Sequence, residues 1–491
     1  MTLRLRREQA QDEGRHEKGM KMGTNTLEEG AEPQSSAGGE ATAYLTGFDN
    51  EHKSEALPGA LPVGQNNPKR PAYGLYTEQL NGTSFLVPRA TMRRSWLYRI
   101  RPSVVHPHFT RADNGLLRSG PFVQADVEPN KVAWSAMPEP PAGTDFISGL
   151  VTQGGFGSPE SNSGMAVHWY SANTSMPDRV MSNVDGELVI IPAKRAVVVR
   201  TEFGNLTAAP GYIVLIPRAV KFSVDLLADE SSSETAASGI VIENYGAPFV
   251  LPELGPLGAN GLANPRDFEA PVAAYEDSER PVEVVQKIGG NLWKTTYSHS
   301  PFDVVAWHGN HVPYRYELRR FQMVHSTSFD HTDPSIATLL VSPTGLPGVN
   351  NIDLFTASHG WFTQRNTFRP NWYHRNIATE WVVRVGPPEG TPEEEVKVGS
   401  WLEPGYTEVV NRMTPHGPPP FVWEHATNAS EDPQRLDYGV LLGFEAPSPM
   451  VLTPAAADSE QRLPGDDAEF DGLGNHFTGP SSGNAGSPTL S

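Results

Sequence analysis

Gly186-Glu187-Leu188-Val189-Ile190-Ile191-Pro192 and Arg195-Ala196-Val197-Val198-Val199-Arg200 are short runs rich in β-branched residues, bounded by turn formers. Such side chains are stiff at χ1 and fit a pleated surface better than a helix, so both runs predict strands. Pro210-Gly211-Tyr212-Ile213-Val214-Leu215-Ile216-Pro217 and Lys221-Phe222-Ser223-Val224-Asp225 continue the series at close spacing. Outward from here, few segments carry the 3.6-residue apolar period of a helix; Asn264-Pro265-Arg266-Asp267-Phe268 at most opens a short one. A second strand-rich block runs from about Pro301 to Phe444, and 46 Gly with 45 Pro supply the turns such a fold needs. The fold class is mainly β, built as sandwiches or barrels.

A chain of 491 residues exceeds what one hydrophobic core usually serves, so two domains are expected. Residues 1–42, polar and then Ser- and Gly-rich, read as a disordered extension. Residues 43–285 form a β-rich N-terminal domain, 286–450 a second one, and 451–491 a largely disordered C-terminal segment. The run Gly255-Pro256-Leu257-Gly258-Ala259-Asn260-Gly261 lacks the Lys-Ser/Thr ending of a phosphate loop and reads as a structured loop. With no cysteine, disulfides, thiolate zinc sites, iron–sulfur clusters and cysteine nucleophiles are excluded, and any metal must be held by His, Asp or Glu. The net charge of −19 leaves no basic excess for nucleic acid. No apolar stretch approaches the ~20 residues of a membrane span, and no secretory signal opens the chain. A cytoplasmic protein is expected.

The chemistry concentrates near Trp372-Tyr373-His374-Arg375-Asn376-Ile377-Ala378-Thr379-Glu380 and Thr414-Pro415-His416-Gly417-Pro418. Two histidines and one carboxylate are the ligand set of a facial-triad ferrous site, which leaves positions open for substrate and oxygen. On one straight strand, His374 and Glu380 would lie about 20 Å apart at ~3.3 Å per residue, so a shared ion requires a turn between them. His374-x-Asn376-x3-Glu380 resembles the first metal motif of the cupin β-barrels, His-x-His-x3-Glu, with Asn in the second His position. The second motif, Gly-x5-Pro-x-Gly-x2-His, is matched by Gly405 and His416, with Asn411 and Met413 in place of Pro and Gly. Gly211-x5-Pro217-x-Ala219-x2-Phe222 resembles a degenerate copy with Phe where the ligand belongs, so the N-terminal domain is expected to bind no metal. The whole is a degenerate bicupin whose residues 286–450 are the catalytic, cupin-like barrel. His331, in a turn-forming context, offers an imidazole for acid–base work or a loop cap. His308 and His311 are further ligands on paper.

Other stretches point to one family. Tyr44-Leu45-Thr46-Gly47-Phe48-Asp49-Asn50-Glu51-His52, Leu75-Tyr76-Thr77-Glu78-Gln79-Leu80-Asn81-Gly82-Thr83, Arg94-Ser95-Trp96-Leu97-Tyr98-Arg99-Ile100 and Ser300-Pro301-Phe302-Asp303-Val304-Val305-Ala306-Trp307-His308-Gly309-Asn310 resemble segments of the homogentisate 1,2-dioxygenases. The resemblance covers about residues 43–445. It implies Fe(II) held by His374, Glu380 and His416, with His331 as acid–base catalyst and His416 also touching substrate. It implies oxygenolytic opening of homogentisate to maleylacetoacetate, in tyrosine and phenylalanine breakdown, by a hexamer built as a dimer of trimers. After the Glu ligand the family usually runs Arg-Gly-x-Tyr-x-Ala-Lys, and its Tyr holds substrate. Here Arg384-Val385-Gly386-Pro387-Pro388-Glu389-Gly390 and Glu393-Glu394-Glu395 follow instead, and Tyr406 is the candidate replacement. The alternatives are a paralogue cleaving a related hydroquinone or gentisate-like ring, and an inactive structural cupin.

Overall fold

The computed structural model describes residues 43–479 except 124–125, 228–234, 254–262, 322, 326–336, 363–364, 368–372, 388–389, 393–395, 398–399 and 466–469. His331, the 255–261 loop and Glu393-Glu394-Glu395 lie outside the described residues. Each of the four opening runs is a strand: Glu187–Lys194, Val197–Thr201, Tyr212–Ile216 and Lys221–Leu226. Glu187–Lys194 lies mid-sheet, between Tyr212–Ile216 and Ala237–Asn244, and is covered on both faces. A strand so placed reads as a continuous apolar run. Val197–Thr201, one strand in from the edge of a second sheet, alternates buried and half-buried residues instead. Among the described residues, the strands form four sheets of nine, seven, four and seven strands, and the longest helix is Pro420–Asn428. The fold is mainly β, as the sequence predicts.

The two blocks are interleaved. Val282–Ile288 runs through residue 285, pairing in parallel with Arg179–Asn183 and antiparallel with Asn291–Tyr297. Val304–Gly309 and Tyr314–Glu317 also pair with earlier strands, Arg94–Arg99 and Tyr212–Ile216. Val132–Trp134, early in the chain, instead closes the edge of the C-terminal sheet against Thr407–Val410. The start of the segment after 450, read from sequence as a loose tail, is packed: Val451–Leu452 pairs with Gly155 and Gly154, and the Trp134 indole donates to the Ala456 carbonyl at 3.0 Å. The cause is steric. A Cβ on Gly154 would meet the Val451 carbonyl oxygen at 2.5 Å, so only glycine admits this strand.

The two halves repeat one backbone device. His374 and His416 face each other across a two-residue antiparallel bridge, and Met181 faces Phe222 in the same way. Two residues after each first partner stands an Asn, Asn376 or Asn183, whose side-chain oxygen accepts the amide of Ala378 or Asp185. The Asn376 carbonyl accepts Met413 N–H at 2.7 Å, and the Asn183 carbonyl accepts Ala219 N–H at 2.7 Å. Met413 and Ala219 both have φ 66°, and Gly405 and Gly211 have φ 94° and 99°. Six residues after His374 and Met181 come Glu380 and Glu187. Thus Met181, Asn183, Glu187 and Phe222 occupy the places of His374, Asn376, Glu380 and His416. Met181 and Phe222 are 2% and 0% exposed, so packed apolar side chains fill the place of the two ligands in the N-terminal half.

Met413 is thereby an L-residue in the left-handed region, half-exposed, where the motif ordinarily has glycine. That conformation costs about 1–2 kcal/mol for an L side chain, against roughly 0.5–1 kcal/mol of extra unfolded-state freedom for glycine. Met413→Gly is expected to raise stability by up to about 1 kcal/mol, read as a higher urea midpoint. A lower midpoint would show that side-chain packing outweighs the backbone strain.

Candidate metal centre

The turn that the sequence did not announce is made by Asn376. Its side chain closes an Asx turn on Ala378 N–H at 3.0 Å, reversing the chain so that Glu380 enters the strand Thr379–Gly386 directly above His374. Arg412 Nε donates to the Ile377 carbonyl at 2.8 Å and fixes the same turn from outside. His416 is delivered by the backbone bridge, His374 N–H to His416 O at 3.0 Å and His416 N–H to His374 O at 3.1 Å. The imidazoles lie 4.2 Å apart, centre to centre, tilted by 58°.

Glu380 Oε1 stands 3.1 Å from His374 Nε2, and Oε2 stands 3.3 Å from His416 Nε2. One donor atom from each of the three lies within 4.8 Å of the others, a group that could hold a metal ion. Donors about 2.0–2.2 Å from a shared ion stand roughly 3 Å apart at right angles, so the spacing fits. Two imidazoles and one carboxylate on one side of an ion leave the opposite side open. The three side chains are 30%, 18% and 14% exposed for His374, Glu380 and His416, enough for a small molecule to reach the group.

Electrostatics agrees. Burial pushes the Glu380 carboxyl up, but hydrogen bonds from His416 and Asn376 and the charge of His416 outweigh it and hold the group at about 2. Burial depresses His416, yet its bonds to Glu380 and the Thr414 carbonyl leave its value raised. Asn376 Nδ2 donates to Glu380 Oε1 at 2.9 Å and to Glu445 Oε1 at 2.8 Å. Burial and then the neighbouring Glu380 charge raise the Glu445 carboxyl. Glu445 is directly opposite Glu380 on the strand Gln434–Ala446. No sequence motif points to it; its only signal is the Asn in the second His position, which needs a partner for its amide.

The other candidates lie elsewhere. His311 is buried, its Nε2–H donates to the Arg218 carbonyl at 2.9 Å, and burial lowers its pKa to about 4. His308 lies against Tyr98 and Glu51. Both are structural. Tyr406 immediately precedes the strand Thr407–Val410; its carbonyl accepts the Arg384 N–H, and its hydroxyl donates to Glu408 at 2.9 Å. Val410, the partner of Glu380, is four residues further, about 13 Å along the strand.

The comparisons agree over residues 43–477. The family described as homogentisate 1,2-dioxygenase N-terminal matches residues 43–318, and its C-terminal counterpart matches 319–477. A homogentisate 1,2-dioxygenase of Rhodopseudomonas palustris strain BisA53 is 46% identical over 418 residues, covering 85% of this chain and 90% of that one. Its counterpart in strain HaA2 is 45% identical over 421 residues, covering 85% and 91%. Likeness to solved structures is faint: a cupin 2 conserved barrel domain protein from Leptotrichia buccalis overlaps at TM-score 0.24 with 7% identity over 66% of this chain and 99% of that one, too little to weigh. With both family halves matched over residues 43–477 and relatives 45–46% identical across 85% of its length, the chain belongs to the homogentisate 1,2-dioxygenase family.

Proposed function

We propose that the chain uses dioxygen to open the aromatic ring of homogentisate to maleylacetoacetate, at an Fe(II) ion held by His374, Glu380 and His416. The observation that carries this reading is the meeting of those three side chains in a chain whose relatives bear that name. The ion, when bound, supplies the redox coupling between an electron-rich ring and oxygen. The protein's part is placement. Glu380 and the two imidazoles would hold the ion from one side, and an ion so held would offer its remaining positions to substrate and oxygen, turning a slow encounter into a local one. His416, the least exposed of the two histidines, also borders the substrate. His331 is proposed to hold the phenolic proton. Tyr406 is proposed to contact the substrate at the end remote from the ion. The metal-free N-terminal half serves packing and assembly.

One observation favours a second reading. The segment 384–411 departs from the family pattern and is acidic at Glu393-Glu394-Glu395, which disfavours the carboxylate of homogentisate. A paralogue cleaving a related hydroquinone would suit it. The same overall reading carries a homohexamer, arranged as a dimer of trimers, in the cytoplasm. Among the described residues no helix is long and apolar enough to cross a membrane.

The test is oxygen uptake after anaerobic loading with Fe(II), with homogentisate and then related hydroquinones as substrate. One oxygen consumed per homogentisate ring opened is the expected result. Uptake with another hydroquinone alone would move the assignment to the paralogue, and bound iron with no turnover of either would leave an inactive cupin.

A further inference from the structure

The motif position that holds a second histidine in four-ligand sites is Asn376 here. Its amide nitrogen lies between two carboxylates, 2.9 Å from Glu380 Oε1 and 2.8 Å from Glu445 Oε1. Its side-chain oxygen is committed to Ala378 N–H. The amide is therefore oriented by the turn, and what it turns toward Glu380 is its NH2, a donor group that cannot ligate a cation. The other half of the chain provides a control. Asn183 holds the matching place where Met181 and Phe222 stand for the histidines, and it still closes its turn on Asp185 and still donates to a buried carboxylate, Glu243, at 2.6 Å. An asparagine that keeps both contacts where no histidines stand beside it is built for turn and carboxylate, not for ligation.

We propose that Asn376 and Glu445 form a clamp that fixes the Glu380 carboxylate for the ion. Glu445 anchors the amide from the neighbouring strand, and the amide holds Oε1, leaving Oε2 as the oxygen offered to the metal. Both residues are positioning groups: they act through Glu380. The inference rests on the reading of His374, Glu380 and His416 as a divalent-metal site, and it deepens that reading by explaining how three ligands suffice. Outer partners of this kind set the orientation of a ligand and are worth about 10–100-fold in metal affinity.

The experiment measures Co(II) affinity of the metal-stripped full-length chain by competition with a chromophoric chelator. Glu445→Ala is expected to weaken binding by about 10–100-fold. Glu445→Gln keeps an oxygen that accepts the Asn376 amide but removes the negative charge, and is expected to bind within a few-fold of wild type. Asn376→Ala should weaken binding like Glu445→Ala, and the double variant should be no weaker than either single one, as for residues acting as one unit. Because Asn376 also makes the turn, thermal melts accompany each variant, and the Glu445 pair decides if Asn376→Ala does not fold. Wild-type affinity in Glu445→Ala overturns the clamp. So does a Glu445→Gln chain as weak as Glu445→Ala, since charge and not hydrogen bonding would then be the cause. A wild-type chain that takes up no Co(II) ends the clamp and the metal reading together, whereas Co(II) binding without homogentisate turnover removes only the assigned reaction.

Discussion

His416→Ala is expected to abolish oxygen uptake with homogentisate and to lower metal affinity by well over 100-fold, because losing a ligand outweighs losing an outer partner. The variant is clean for a structural reason. His416 is tied to His374 through backbone N–H and carbonyl groups on both sides, and none of these is changed by truncating the side chain. What is lost is Nε2, 3.3 Å from Glu380 Oε2, together with the hydrogen bond that contributes most to holding that buried carboxyl near 2. Circular dichroism and melting temperature should stay close to wild type while metal content, read by elemental analysis, falls. Phe222 shows that the same backbone position accepts an apolar side chain without losing the bridge, since it keeps its pairing with Met181. Retention of both metal and turnover in His416→Ala would sink the assignment of the site.

Arg99→Met is expected to cost about 3–5 kcal/mol of stability, the largest loss foreseen for any single change outside the metal site. Arg99 is 1% exposed, and its guanidinium donates to Asp303 through Nε at 3.0 Å and Nη2 at 2.8 Å. Nη1 reaches Glu78 at 2.8 Å and Glu202 at 3.3 Å, and Nη2 also serves the Pro301 carbonyl at 2.9 Å. Asp303 is fully buried and Glu202 nearly so. Removing the one guanidinium at their centre leaves buried carboxylates to be desolvated without compensation, and Lys221, 3.5 Å from Glu202, relieves only one of them. Arg99→Lys should recover part of the loss at best, because an ammonium lacks the planar fork that serves three acids and a carbonyl at once. Urea unfolding of the three proteins is the check, and a midpoint in Arg99→Met equal to wild type would show that the cluster contributes nothing net.

Much of this was legible in the residues. The β-branched runs of 186–225 are strands because their side chains allow little else, and local preference was enough to place them. His374, Glu380 and His416 were legible as a ligand set, because ligand chemistry depends on residue type, and the duplicated spacing of Gly211 to Phe222 and Gly405 to His416 was legible as a repeat. The segments that carry the family likeness supply Glu78, Arg99 and Asp303, yet nothing in their order says that residues 204 positions apart share one buried charge cluster. The domain boundary read from composition near 285 falls inside a strand, because hydrogen-bond partners for Val282–Ile288 are chosen by sheet geometry and not by local composition. Glu445 was invisible for the same reason: its importance comes from facing Glu380 across two strands. The sequence by itself therefore determined which groups can bind an ion and which stretches extend. Tertiary structure alone decided that they meet, since a turn closed by one asparagine side chain and a two-residue backbone bridge between distant loops bring the three donors together.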